Sequence, residues 1–335
     1  MSVVYLLFVF WLLSGLSFHK YNQGLNLDMS KVNKGISAIL IVIGHCVSAI
    51  GYEEVKFLNV GWYCVAIFFF WSGYGVTYGY ECKEDYLRRF WKVRLTKVLV
   101  PFLVAHIIYW MIKSCCGIKF SFKDILLGVG GQCTIVDNSW YPIAILVFYA
   151  LFYWCFKNIQ GKNKRILVLF CVTIFISFIM WWVLGKTKDY WFISNLAFWL
   201  GVWICSYDRN LEMWKTYILV GIGGYVVAMA SVPIYHMIFN KYSYSLYILS
   251  CNFMSTCIVL LLVVMIGKMG KSIRFMSFLG KISYEIYLIH GLIIWSLQRY
   301  ATSINLFLFC CIVCMISILC ALILYRVDEI IITVF

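Results

Sequence analysis

Charged side chains are scarce in this sequence. Of its 335 residues only 13% are Asp, Glu, Lys or Arg, whereas soluble domains carry about 25%. Acidic residues are the rarer group, with 14 Asp and Glu against 28 Lys and Arg, so the net charge is +14. Because 64% of the residues are hydrophobic and the mean hydropathy is +0.89, the composition excludes a soluble globular domain.

Motifs of several enzyme classes are also missing. The sequence has no Walker loop, no zinc-protease motif and no GxSxG nucleophile motif. No acidic cluster has metal-ligand spacing, and we predict no metal site. The 15 cysteines lie mostly inside apolar runs and are interpreted as small buried hydrophobic residues. The basic excess lies between those runs, which indicates membrane sidedness rather than nucleic-acid binding.

Long apolar runs are what the sequence does contain. They are continuous over roughly 15–20 residues, which favours membrane helices over the alternating strands of a barrel. We predict an all-α polytopic transmembrane bundle of about eleven spans. Their approximate bounds are 2–18, 35–50, 60–80, 97–115, 139–157, 165–184, 190–206, 214–232, 245–266, 280–298 and 303–325. The predicted domains are an extra N-terminal helix with its linker, 1–29, and a membrane domain, 30–330.

The distribution of Lys and Arg predicts the orientation. If the N-terminus is outside and the spans alternate, 20 of the 28 basic residues fall on the cytoplasmic side and 8 outside. Cytoplasmic loops carry the excess of Lys and Arg in multi-pass proteins. We therefore predict a multi-pass protein of the cell membrane with its N-terminus outside and its C-terminus in the cytoplasm.

His45 is the first candidate for chemistry. It ends the run KGISAILIVIGH, eleven residues after Lys34, which places it about 16 Å along a helix and near the middle of a bilayer. Ionisable groups there are costly and usually functional. The alternative is an interhelical hydrogen bond without chemistry. By the same spacing, His106 and His290 are predicted at the same depth as His45.

His290 ends the run FLGKISYEIYLIHG. Tyr287 and Tyr284 precede it by three and six residues, so the three side chains share one side of a helix. Together with Glu285 they predict a polar seam within the tenth span. A packing or hydrogen-bonding role for His290 is the alternative to direct catalysis.

The basic run before the fourth span continues into it. Arg94 and Lys97 lie about one helical turn apart, where they suit a phosphate-bearing ligand at the inner mouth. Ordinary anchoring at the cytoplasmic face is the alternative explanation. In the preceding span, Ser72–Gly73 is more typical of a close helix contact than of a site.

Taken together, these segments resemble the acyltransferase-3 family of integral-membrane acyltransferases over about residues 30–330. The resemblance is carried by Lys34 to His45, by FFFxSG at Phe68 to Gly73, by the basic stretch with Arg94, Lys97 and Pro101, by SWYP at Ser139–Pro142 and by LGKISYEIYLIHG at Leu279 to Gly291. The family usually has arginine at the position of Lys34, and often at that of Lys97. The span at 2–18 is additional to the usual ten-helix core.

The resemblance implies a reaction and its participants. An acyl group, commonly acetyl, would pass from cytosolic acyl-CoA, a co-substrate rather than a bound cofactor, to a hydroxyl of a carbohydrate or glycolipid across the membrane. It implies His45 and His290 as catalytic, and Lys34, Arg94 and Lys97 as acyl-CoA-binding. Acceptor-positioning roles would fall to four further side chains, Tyr284, Tyr287, Ser72 and Trp140. His45 would act either as a general base or as a covalent acyl carrier.

A transporter or flippase for a lipid-linked sugar is the main alternative function. Carriers tend to place Asp or Glu inside their spans and to show paired broken helices. This sequence has only Glu285 clearly inside a span, and it has no convincing internal repeat. The acyltransferase is therefore the favoured prediction.

Overall fold

The computed structural model describes residues 25–51, 61–269 and 274–334. In these ranges there is no β-strand, and twelve α-helices are present with three short 3-10 segments. The helices are α1 (Leu27–Ile50), α2 (Gly61–Cys82), α3 (Phe90–Cys115), α4 (Phe122–Val129), α5 (Trp140–Asn158), α6 (Lys162–Leu184), α7 (Leu196–Tyr207), α8 (Trp214–Phe239), α9 (Tyr244–Met269), α10 (Arg274–Lys281), α11 (Ser283–Leu297) and α12 (Leu306–Val334). The 3-10 segments are Tyr86–Arg89, Lys186–Trp191 and Gln298–Ser303.

The predicted all-α membrane bundle is confirmed, with fewer full-length spans than predicted. Within the described ranges, seven helical segments are long and apolar enough to cross a bilayer: α1, α5, α6, α8, α9, α12 and the segment Tyr86–Cys115 that includes α3. The predicted spans at 190–206 and 280–298 contain the shorter helices α7, of 12 residues, and α11, of 15 residues. A full crossing needs about 20 residues. The predicted span 2–18 lies outside the described residues, so the boundary at 29/30 stays a prediction.

Local sequence explains where the first helix begins and ends. The Asn26 side chain accepts hydrogen bonds from the backbone N–H groups of Asp28 and Met29, both at 3.0 Å, and so caps α1. Gly51 follows the helix with a φ of +75°, a conformation that glycine adopts at little cost. His45 is therefore carried by a helix with well-defined ends.

The chain divides into two compact units. Among the described residues, the first comprises 25–34, 62–84, 154–269 and 274–280, and the second comprises 35–51, 61, 85–153 and 281–334. In the first unit α9 packs against α8, α7 and α6. In the second unit α3, α11 and α12 pack against one another, and α4 contacts α3. Both catalytic candidates, His45 and His290, belong to the second unit.

In the first unit, α2 and α7 cross at two glycines. A Cβ atom on Gly73 would lie 2.1 Å from the Phe198 carbonyl oxygen, and one on Gly201 would lie 2.0 Å from the Phe70 carbonyl oxygen. Both separations are far below van der Waals contact, so each helix backbone occupies the space that a side chain of the other would need. The close contact predicted at Ser72–Gly73 is thus present.

The segment between α3 and α5 lies outside the predicted spans, and it contains the short helix α4. Ser121 caps this helix, and the hydroxyl and backbone N–H of Ser121 both donate to the Asp124 carboxylate. These hydrogen bonds lower the pKa of Asp124. Thr134 donates to the Asp124 carbonyl at 2.5 Å. These hydrogen bonds therefore hold the segment in place shortly before Asp137 and Asn138.

Candidate active site

His45 and His290 lie side by side in the second unit. Their ring centroids are 5.0 Å apart, and the ring planes make an angle of 83°, an edge-to-face contact. His290 is fully buried, and His45 is half-buried. The structure thus brings together two of the three histidines that the sequence placed at one depth.

His106 occupies a different environment. Its ring lies 4.4 Å from that of Phe102, and its Nδ1 is 3.1 Å from the Phe102 carbonyl oxygen. A Cβ atom on Gly128 would lie 3.1 Å from its Nε2. His106 therefore packs between α3 and α4, as expected for a structural histidine.

Both ring nitrogens of His290 have polar neighbours. Nδ1 lies 3.1 Å from the carbonyl oxygen of Ile286, one turn earlier on α11. Nε2 lies 3.0 Å from the side-chain nitrogen of Asn138, the residue immediately before the SWYP segment, Ser139–Pro142. Asn138 is itself buried, with 6% of its surface exposed. These contacts hold His290 in one orientation beside His45.

The predicted polar seam on α11 is present, and its members bond in different directions. The Tyr287 hydroxyl donates to the Asn138 carbonyl at 3.2 Å, and its ring lies 5.2 Å from that of Tyr141. The Tyr284 hydroxyl donates to the Val98 carbonyl at 2.9 Å. Val98 follows Lys97, so Tyr284 lies at the basic end of the unit and Tyr287 lies near the histidines.

The Tyr109 hydroxyl forms hydrogen bonds with the backbone of α11 near His290. Its hydroxyl donates to the Leu288 carbonyl at 3.0 Å and accepts from the Leu292 N–H at 2.7 Å. An α-helix pairs these two backbone groups directly, since they are four residues apart. A Cβ atom on Gly291 would lie 2.9 Å from this hydroxyl. Glycine at 291 therefore leaves room for Tyr109 to contact the helix.

A buried lysine completes the surroundings. Lys113 has 6% of its surface exposed, and its ammonium group donates to the Ile135 carbonyl at 2.9 Å and to Asp137 Oδ1 at 3.3 Å. The ammonium also lies 5.5 Å from the centre of the Trp295 ring. The Asp137 carboxylate is 44% exposed and interacts electrostatically with His45. The second unit therefore places a carboxylate near the histidine pair.

Charge limits what the histidine pair can do. Two positive rings 5.0 Å apart would repel by about 3 kcal/mol at an effective dielectric constant of about 20. That corresponds to roughly a hundredfold in a proton-binding equilibrium. One ring can therefore carry a proton at neutral pH far more readily than both can.

The residues predicted to bind the donor differ in their contacts and burial. Arg94 donates to the Tyr86 hydroxyl at 2.5 Å, and its guanidinium carbon lies 5.3 Å from the centre of the Tyr149 ring. Lys97 is exposed on the same helix. Lys34 is half-buried on α1, in the part of that helix that belongs to the first unit.

The two remaining predicted residues differ in position. Trp140 is buried at the start of α5, with its ring 6.1 Å from that of Tyr141. Ser72 is half-buried on α2 in the first unit. Trp140 therefore lies in the same unit as the histidine pair, two residues after Asn138.

Four residues of the cluster were missed by the sequence analysis: Tyr109, Lys113, Asp137 and Asn138. Lys113 carried a signal, because an ionisable residue at the end of an apolar run calls for a partner. Asp137 and Asn138 lie 24 and 25 residues further on, and nothing in the sequence pairs them with α3 or α11. Only folding reveals those contacts.

The chain matches the model of a known protein family. The family model described as an acyltransferase domain, Acyl_transf_3, matches residues 31–326, which includes every residue of the cluster. No curated protein and no solved structure shows a significant match to the chain.

Proposed function

Since the chain belongs to the acyltransferase 3 family and is a membrane acyltransferase, we propose that it moves an acyl group from cytosolic acyl-CoA to a hydroxyl group. Acetyl-CoA is the proposed donor, and a carbohydrate or lipid-linked glycan is the proposed acceptor. The observation that supports this most is the ring contact between His45 and His290 within an apolar helical unit. An imidazole changes its protonation state near neutral pH, so it can accept a proton and return it.

In the general-base route, His45 handles the proton. The acceptor hydroxyl gives its proton to His45 while its oxygen attacks the carbonyl carbon of the thioester. The carbon–sulfur bond then breaks, and the departing CoA sulfur takes the proton from His45. The Asp137 carboxylate, which interacts electrostatically with His45, would favour the protonated ring during this step.

In the acyl-histidine route, His45 attacks the thioester first. The acyl group moves from sulfur to an imidazole nitrogen, the carbon–sulfur bond breaks, and the CoA sulfur takes the proton that the ring gives up. The acceptor oxygen then takes the acyl group from the ring, and the proton of the acceptor hydroxyl passes to the imidazole as it is released. Both routes use His45 as the reacting group. The hydrogen bonds of His290 to Asn138 and Ile286 favour a positioning role for His290 in either route.

The donor is proposed to approach from the basic end of the second unit. CoA carries phosphate groups, which suit the fork of Arg94 and the ammonium of Lys97. Tyr284 bonds to the backbone of Val98, next to Lys97, which favours a place for Tyr284 on the donor side. Lys34 and Ser72, on the first unit, remain predicted donor and acceptor residues.

Replacement of His45 tests the proposal. We expect His45→Ala to lower acyl transfer by at least about a hundredfold, because a positioned acid–base group contributes about 10² to 10⁴. Mass spectrometry of the surface glycans of cells that express each variant would measure this, and would also show the acyl group and its acceptor.

His106→Ala is the matched control. His106 is a second buried histidine of the same unit, and it packs against Phe102 rather than against His290. We expect it to retain acyl transfer in proportion to the amount of protein in the membrane. Normal glycan acylation by a well-expressed His45→Ala protein would contradict the proposed role of His45.

A further inference from the structure

The two nitrogens of His290 face groups of opposite polarity. The Ile286 carbonyl, 3.1 Å from Nδ1, can only accept a hydrogen bond. The Asn138 amide nitrogen, 3.0 Å from Nε2, can only donate one. Nδ1 must therefore carry the hydrogen, and Nε2 must offer its lone pair. This is one of the two neutral tautomers of the ring.

The opposite orientation of the Asn138 amide would require a charge. Its oxygen would then face Nε2, both ring nitrogens would have to donate, and His290 would be a cation. The ring has 0% of its surface exposed, and its two hydrogen-bond partners, Asn138 and Ile286, are both uncharged. A buried cation without a charged partner is costly, so the neutral ring is favoured.

Asn138 is well placed to enforce this state. Its backbone carbonyl accepts from the Tyr287 hydroxyl at 3.2 Å while its side chain meets His290, so two points attach it to α11. On the other side, Lys113 holds Ile135 and Asp137. The backbone that carries the Asn138 side chain is therefore held in position by contacts that do not depend on His290.

We propose that Asn138 is a positioning residue that holds His290 as a neutral ring with its hydrogen on Nδ1, which leaves His45 to carry the proton during acyl transfer. The inference rests on the proposed role of His45. A protonated His290, 5.0 Å from His45, would oppose the proton on His45 by roughly a hundredfold. Asn138 thus prevents the neighbouring histidine from competing for that proton.

Other ionisable groups surround the pair, and each belongs to a defined element. They are Tyr109 and Lys113 on α3, Asp137 before α5 and Tyr287 on α11. Cys46, which follows His45 in the chain, lies near the thiols of Cys310 and Cys314 on α12. Lys113 and Asp137 have opposite charges and form an ion pair. Asn138 remains the group that meets Nε2 of His290 directly.

The first test is spectroscopic and needs no activity. Full-length protein in lipid nanodiscs is labelled with ¹⁵N at its five histidines, and the His290 signals are assigned by their loss in His290→Gln. We expect a protonated Nδ1 and an unprotonated Nε2 from about pH 5.5 to about pH 8.5, the range in which ordinary histidines titrate. A hydrogen on Nε2 in the wild-type protein, or titration of His290 in that range, would overturn the proposal.

Asn138→Asp inverts the polarity at nearly constant shape. An ionised carboxylate accepts instead of donating, so we expect both His290 nitrogens to be protonated. The rate of CoA release from acetyl-CoA can be measured by mass spectrometry. We expect kcat to be lowered by about a hundredfold, with the KM for the donor little changed. An unchanged kcat with a protonated His290 would refute the positioning role.

Ser139→Ala is the matched control in the same segment. The Ser139 side chain accepts from the Cys133 N–H at 2.8 Å, so this variant disturbs the segment without altering the polarity at His290. We expect its ¹⁵N signals to match those of the wild type. If His290 has the expected tautomer but His45→Ala still transfers acyl groups, the proposed function of His45 fails and the tautomer assignment stands.

Discussion

At the scale of single residues, Lys113 combines a charge with near-complete burial. Its ammonium group is held by the Ile135 carbonyl, by Asp137 and by the face of the Trp295 ring. Ionisable residues inside an apolar helix bundle are costly and usually have a functional role. Here the lysine joins α3 to the segment that carries Asn138, which contacts His290.

Removal of this charge should weaken the unit. We expect Lys113→Met to lower the free energy of unfolding by about 1–2 kcal/mol, less than the 3–5 kcal/mol for a fully buried pair, because Asp137 is 44% exposed and stays hydrated. Thermal unfolding in detergent would measure it. Lys119→Met, at an exposed position in the connection that follows α3, is the control. Equal melting temperatures of the two variants would contradict the assigned contacts.

The three histidines of the second unit have the same side chain but different neighbours. His45, His106 and His290 all lie in apolar segments of the second unit. The rings of His45 and His290 contact each other, whereas the ring of His106 contacts that of Phe102. His290 is held at both nitrogens. His45 is the less buried of the pair, which fits a group that meets substrates.

At the scale of elements, each unit contains a close contact between two helices. In the second unit, the Tyr109 hydroxyl joins α3 to the backbone of α11 at residues 288 and 292. In the first unit, α2 and α7 meet at Gly73 and Gly201. Small residues at such crossings let two helix backbones approach closely, which is common in membrane proteins.

Alanine at either crossing glycine should be destabilising. We expect Gly73→Ala and Gly201→Ala each to cost about 1–3 kcal/mol, the usual range for overpacking, because the added methyl group would meet backbone that cannot rotate away. Thermal unfolding of the purified variants would measure the loss.

Gly75→Ala is the control on the same helix. Nothing lies within 4 Å of a Cβ atom at Gly75, and alanine has the higher helix propensity. This variant should melt at or slightly above the wild-type temperature. A Gly75→Ala protein that melts as early as Gly73→Ala would argue against the close crossing.

At the scale of the whole molecule, the basic residues are unevenly distributed. The proposed topology places 20 of 28 Lys and Arg on the cytoplasmic side, where acyl-CoA is found and where Lys97 is proposed to bind it. The acceptor would then reach His45 from the opposite side. This arrangement predicts that charge at the basic end affects one substrate and not the other.

Charge reversal at Lys97 tests that asymmetry. We expect Lys97→Glu to raise the KM for acyl-CoA by about tenfold, since a charge-assisted contact to phosphate contributes about 1.5–3 kcal/mol in favourable cases. The KM for the acceptor should change little. Steady-state kinetics with each substrate varied in turn would measure both.

Lys164→Glu provides the comparison, because Lys164 is exposed and is also predicted to be cytoplasmic. It should leave both constants unchanged. If Lys97→Glu raised the two KM values equally, the residue would be better explained as an anchor at the membrane surface.

Much of this protein could be predicted from its sequence. The all-α membrane bundle follows from apolar runs that leave the backbone no hydrogen-bond partners except its own. The family follows from the segments around His45, Phe68 and His290, and the matched model agrees. The polar seam on α11 follows from the spacing of Tyr284, Tyr287 and His290 on one helix face.

Tertiary structure alone decided which groups meet those residues. Hydropathy reports how apolar a segment is, not whether it runs the full width of a bilayer, so the short lengths of α7 and α11 were not predicted. Periodicity relates residues within one helix, whereas Asn138 reaches His290 from 152 positions away in the chain. Sequence patterns do not encode such long-range pairings, since they depend on how helices pack, and that packing brings Asn138 to the ring beside His45.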